Sequence, residues 1–177
     1  SAFNFNCDAD VDMTVGYANT DHSILDGTWN GVTAEQTGIS GFAYDFEPND
    51  YVTLGSSSSF DFTDSFSVSL WVNTDDITDK RFFGKGANSA FEMLSETTNN
   101  QIRWRVDDGS VKTVEGSTAL DDGTWYHVVG VYDKTAGETR VYVNGNLDGT
   151  LTGVGQIETT SDPMYIGRNN SGNYYDG

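Results

Sequence analysis

The chain has 177 residues, of which 36% are apolar and 13% aromatic, with twenty glycines and two prolines. This composition suits one domain of many short strands joined by turns and argues against disorder. With 27 acidic against 9 basic residues, the formal charge is −18, which repels nucleic-acid backbones; the excess reads either as a surface solvated for solubility or as a binder of cations. No apolar run of about 18 residues exists to span a membrane. The lone Cys7 excludes an internal disulfide and a Cys-based zinc site. The opening Ser1-Ala2-Phe3 lacks the basic and apolar regions of a signal peptide.

Short β-rich segments bounded by turn residues predict strands at Phe3–Asn6, Phe42–Phe46, Tyr51–Leu54, Phe66–Asn73, Arg81–Lys85 and Phe91–Ser95. Further strands are expected at Gln101–Val106, Val111–Val114, Trp125–Tyr132, Thr139–Val143 and Met164–Gly167. In Phe66–Asn73, alternation puts Phe66, Val68, Leu70 and Val72 on a core face and Ser67, Ser69 and Trp71 on the other. Lys134–Gly137 supplies the turn between two of these strands, and Asn144-Gly145 can take the positive φ angles of a tight hairpin. The serine run Ser56–Ser59 reads as a loop, and no segment of eleven residues carries a helical period. Regular strand spacing predicts an all-β sandwich in a single domain over residues 1–177.

Several motifs carry a resemblance to a known family. The segment DGTWYHVVGVYDKTAGETRVYVNGN is similar to the hallmark hairpin of the laminin-G-like, pentraxin-like jelly rolls of the concanavalin A-like lectin and glucanase superfamily. GFAYDFEPNDYVTL, SFSVSLWVN, RFFGKG and MYIGR resemble the family's other strands, in the expected order. The resemblance implies a two-sheet antiparallel jelly-roll β-sandwich. In related chains the segment resembling Tyr174-Tyr175-Asp176-Gly177 leads into a final strand, beginning Ile-Asp-Glu, beside the first. Here that strand is missing, so the expectation is either a shortened chain or a sheet completed by a neighbouring chain.

Candidate metal ligands lie near the start. If extended, Asp8, Asp10 and Asp12 share one face, where repulsion calls for a cation or solvent. Calcium takes six to eight hard oxygen ligands. The resemblance implies a calcium site at Asp8, Asp10, Asn19 and Asp21; a solvated acidic loop is the competing reading. An EF-hand is excluded, because the required Gly and Glu positions are absent. A second candidate, Asp45 with Glu47, Asn49 and Asp50, reads rather as a turn held by Asn and Asp side chains.

Catalytic patterns are thin. The superfamily's glucanases need a nucleophile and an acid about 5 Å apart, and the Glu-x-Asp-x-x-Glu pattern that the resemblance would require does not occur. Glu92 and Glu96, spaced by four, match it poorly. His127 reads as a hydrogen-bonded structural residue. A non-enzymatic role is expected.

For binding, Gln101, Arg103 and Arg105 share one strand face, and two guanidiniums there could grip carboxylate, sulfate or sugar hydroxyls. The competing reading is a pair of salt bridges to nearby acids. Tyr17, Trp29, Trp71, Tyr174 and Tyr175 read as loop or outward-facing aromatics, of which Trp71 and the Tyr174-Tyr175 pair are the leading candidate sugar platforms, with Arg168 at the loop rim. The resemblance implies an extracellular, calcium-assisted carbohydrate-binding or adhesion module whose partner is a glycan or cell-surface polysaccharide. The alternative is a structural or decoration subunit of a filament, surface layer or virion, packed against protein neighbours.

Overall fold

The computed structural model of the protein describes residues 2–7, 13–17, 27–86, 90–169 and 174–175. Its first strands are β1 (Ala2–Cys7), β2 (Met13–Tyr17), β3 (Thr28–Asn30), β4 (Thr33–Thr37), β5 (Phe42–Asp45), β6 (Tyr51–Gly55), β7 (Phe66–Val72) and β8 (Arg81–Lys85). They are followed by β9 (Phe91–Ser95), β10 (Gln101–Asp107), β11 (Val111–Ala119), β12 (Tyr126–Asp133), β13 (Glu138–Val143), β14 (Asn146–Thr152) and β15 (Met164–Ile166). One sheet runs β14-β13-β12-β7-β1-β2, a second runs β11-β10-β9-β8-β15-β6-β3, and β4-β5 form a separate hairpin. The two larger sheets stack as a jelly-roll sandwich.

Each predicted strand is present, and four more are added: β2, β3, β4 and β14. The segment NLDGTLT of β14 holds Gly and Asp, which disfavour strands. It is extended because β13 pairs with it across the Asn144-Gly145 turn, whose φ angles are 50° and 80°. The pairing is not antiparallel throughout: β1 runs parallel to β7, from Ala2↔Ser67 to Asn4↔Ser69. The long connection between them makes a parallel neighbour possible. On its other side β1 pairs with β2.

Alternation decides what β7, β10, β12 and β13 bury, whereas β8 and β9 are buried along their whole length. In β7, Phe66, Val68 and Val72 are buried while Trp71 is 48% exposed. In β12 and β13, Val128, Tyr132, Val141 and Val143 point inward. From the opposite sheet, Ile102, Trp104 and Val106 of β10 enter the same core. Gly130 of β12 sits directly under Trp104: a Cβ built there would lie 2.5 Å from the indole Cδ2. Here glycine supplies room rather than an unusual backbone angle.

Polar clamps close the edges. Asp148 of β14 accepts from the Ser117 and Thr118 backbone N–H groups at 3.1 and 3.2 Å and from the Thr118 hydroxyl at 2.7 Å, tying β14 to β11 of the other sheet. Lys85 is fully buried, ion-paired with Asp61, and donates to the Thr160 carbonyl at 2.8 Å. A buried ammonium is tolerated only with such partners.

Gly130→Ala is expected to lower stability by about 1–3 kcal/mol, the usual cost of overpacking a close-packed core. A urea titration would read this as a lower midpoint at unchanged slope.

Candidate functional site

The strand face singled out by its arginines is committed to ion pairs. Arg105 Nη1 lies 2.6 Å from Glu92 Oε1 on β9, and Arg103 Nη2 lies 3.3 Å from both Glu96 Oε1 and Glu115 Oε2. Gln101 donates to the Ser117 carbonyl at 3.2 Å. Glu92 is 2% exposed and also faces Arg81, whose Nε is 3.9 Å away. Of the two readings open for Arg103 and Arg105, salt bridging to cross-strand acids is the one the geometry realises. The same contacts engage Glu92 and Glu96, the pair weighed against a hydrolase pattern.

The outer face of the other sheet is different. Trp71 lies opposite His127 in the β7–β12 ladder, the ring centroids 5.2 Å apart and tilted by 38°. The Ser69 hydroxyl, 2.7 Å from His127 Nε2, holds the imidazole in place, so His127 has the hydrogen-bonded role expected of it. Beside this pair opens a cleft of about 700 Å³ lined by β7, the β4-β5 hairpin and the inward-facing Phe82, Phe83, Ile166 and Tyr175. Ile39 and Phe42, 50% and 44% exposed, line its hairpin side, and Trp71 lines its sheet side. Gln36, Asn73, Asp75 and His127 add polar groups to the walls.

The remaining candidates disperse. Tyr175 is 7% exposed and packs inward, its ring 5.4 Å from Phe82 and 5.8 Å from Phe46, with its hydroxyl donating to the Asn73 carbonyl. It is therefore a core residue rather than a platform. Tyr174 and Arg168 stand together beside Tyr51 and Tyr165. Trp29 is half-buried, edge-on to Tyr44 at 5.1 Å. Asp8, Asp10, Asn19 and Asp21 lie outside the described residues. Among the described residues, no three His, Cys, Asp or Glu side chains converge as a metal site would require. At the second acidic bend, the Glu47 N–H donates to Asp50 Oδ2 at 3.0 Å, Asp50 N–H returns to the Glu47 carbonyl at 2.9 Å, and Asn49 takes a φ of 82°. That is a closed turn.

The profile of the concanavalin A-like lectin/glucanases superfamily, in its laminin-G form, matches residues 46–177. The chain belongs to this laminin-G-like family. None of the curated proteins matches the sequence. Among solved structures, the domain is similar to domain 4 of AbnA, a GH43 extracellular arabinanase from Geobacillus stearothermophilus, solved with arabinotriose. Identity is 20% over 81% of this chain and 74% of that one, with a TM-score of 0.62. It is also similar to the binding domain of Paraclostridial Mosquitocidal Protein 1, with 15% identity, 85% and 43% coverage and a TM-score of 0.62. Mouse laminin α1 domains LG4-5 match at 21% identity, 72% and 34% coverage and a TM-score of 0.56. The laminin-G-like chain thus spans less than half the length of the last two. At these identities the likeness is one of fold.

Sequence reasoning named Trp71 but missed Ile39, Phe42 and the role of the β4-β5 hairpin. The available signal was Ile39, a large apolar residue inside the turn Gly38–Gly41, followed directly by Phe42 at the start of its strand. The laminin-G-like sheet also carries a perturbed acid. Glu96 accepts from the Thr98 N–H, from the Asn99 N–H at 2.8 Å and from the Thr97 hydroxyl at 3.1 Å, and it pairs with Arg103. The Thr98 bond leads these causes in lowering its pKa from 4.5 to about 2, against desolvation. The unfolded chain therefore binds the proton more readily, and stability from Glu96 is present above about pH 4.5 and lost as pH falls toward 2. Glu96→Gln is expected to flatten the acid limb of the stability–pH profile in that window, as read by thermal melts.

Proposed function

We propose that this laminin-G-like domain is a non-catalytic carbohydrate-binding module working outside the cell, with a sugar ring held against Trp71 in the cleft under the β4-β5 hairpin. The observation that carries this reading is the convergence of Ile39, Phe42 and Trp71, each 44% exposed or more, on one cleft of about 700 Å³. Large apolar side chains gathered at one concave place mark a binding surface. The C–H face of a pyranose packs on an indole, while hydroxyls take hydrogen bonds from groups such as Asn73, Gln36 and His127. Because the Ser69 bond orients His127, less side-chain freedom is lost on binding. That AbnA domain 4 was solved with arabinotriose supports a sugar as the ligand class.

A second reading has its own observation. Among the described residues, β1 pairs with β7 only from Ser67 to Ser69, so from Leu70 to Val72 the paired neighbour is β12 alone. An extended segment from a neighbouring protein could complete the sheet there, as in a packing subunit.

Retention on a panel of immobilised polysaccharides separates the two. The binding module is expected to run as a monomer and to be retained by at least one glycan. Trp71→Ala, an exposed change that leaves the core intact, should weaken that retention about tenfold, as losing one stacking contact does. Retention unchanged by Trp71→Ala, or an ordered assembly without glycan binding, would overturn it.

A further inference from the structure

The seven-stranded sheet carries another constellation on its outer side. Val52 and Leu54 of β6 and Met164 of β15 are buried in the core, so Tyr51 and Tyr165 project from the opposite face. The two rings meet edge-on at 5.7 Å and 78°. Arg168, just past β15, brings its guanidinium carbon 4.7 Å from the centroid of each and 5.1 Å from that of Tyr174. A backbone bridge between Arg168 and Tyr174 holds the third ring in place. The guanidinium Nε donates to the Asn169 carbonyl at 3.0 Å, and Nη1 reaches the Tyr174 hydroxyl at 3.5 Å.

The charge distribution sets this arginine apart. In a chain of 27 acidic and 9 basic residues, every other lysine and arginine has a carboxylate oxygen within 3.6 Å. Arg168 has no carboxylate partner among the described residues. The ring faces attract the cation and fix its position, but they neither neutralise it nor fill its in-plane N–H donors. A half-buried fork of donors framed by three phenols fits an anion carried on a sugar ring. The carboxylate takes parallel N–H bonds, the ring's C–H face packs on a tyrosine, and its hydroxyls meet phenol oxygens.

We infer that the Arg168, Tyr51, Tyr165 and Tyr174 cluster binds a uronate residue of an acidic glycan. This rests on the carbohydrate-binding reading of the domain but uses a surface separate from the Trp71 cleft. The chain's charge of −18 opposes a polyanion at long range. At about 0.15 M salt the Debye length is roughly 8 Å, so that repulsion is screened while the contact pair is not.

The test titrates the chain, at that salt, with tetragalacturonate, with its carboxyl-reduced neutral counterpart and with a sulfated neutral tetrasaccharide. Binding is followed by calorimetry and by the NMR signal of the Arg168 Nε–H group. Tetragalacturonate is expected to shift that signal and to bind at least tenfold more tightly than the other two. Arg168→Lys, which keeps the charge and loses the fork, should weaken it about tenfold, and Trp71→Ala should leave it unchanged. No shift of the Arg168 signal at millimolar tetragalacturonate, or equal binding of the neutral or sulfated sugar, would overturn the proposal. If Arg168→Lys does not fold, the wild-type signal decides alone. Failure here with Trp71-dependent glycan retention intact removes only this site; failure of both removes the carbohydrate reading as well.

Discussion

Trp104 and Gly130 meet across the sandwich, and the stacking of the two sheets turns on that contact. The indole from β10 lies flat enough over β12 that any Cβ at Gly130 would stand 2.5 to 2.8 Å from three of its carbons. Phe66, Phe83 and Phe91 surround the same indole at centroid distances of 5.9 to 6.1 Å. Facing sheets pack about 10 Å apart, with side chains from both layers sharing that space. An indole consumes more than its half, and the opposing strand yields by carrying no side chain. The outer faces inherit their geometry from this arrangement, because the inward direction of β10 and β12 fixes which residues point away from the core.

Electrostatics then sorts the scarce cations. With three times as many acids as bases, most lysines and arginines work as fasteners within or between neighbouring strands and loops. Arg105 holds Glu92, and Arg103 bridges Glu96, just past β9, and Glu115 on β11. Lys85 anchors Asp61 and the Thr160 carbonyl from a fully buried position. Removing water from such pairs is costly, and extra hydrogen bonds offset that cost. Among the described residues Arg168 stands outside this pattern: aromatic faces hold it in place of carboxylates.

The cleft is a product of the hairpin. Among the described residues β4 and β5 pair only with each other and belong to neither layer, so their apolar tip residues are not absorbed into the core. Ile39 and Phe42 instead line the same cleft as Trp71. Binding residues on loops set over a rigid sheet are a common division of labour, and the laminin-G-like architecture supplies the rigid part.

Much of the architecture was legible from the chain alone. Period-two alternation marked the buried and exposed faces of Phe66–Val72, and Asn144-Gly145 marked a hairpin that the φ angles of 50° and 80° realise. Those features depend on neighbouring residues, and local sterics suffice to specify them. Strands such as β14, with Gly149 and Asp148 in its middle, escaped because pairing with β13 overrides a weak intrinsic preference. The shared face of Arg103 and Arg105 could be read, but their partners could not. The same holds for Ile39, Phe42 and Trp71 lining one cleft, and for the meeting of Arg168 with Tyr51. The arginine partners are set by the register of adjacent strands, and the other two groupings join segments far apart in the chain, so they follow from sheet stacking. The sequence by itself determined which way each side chain points from its strand; the tertiary structure decided which of those side chains meet.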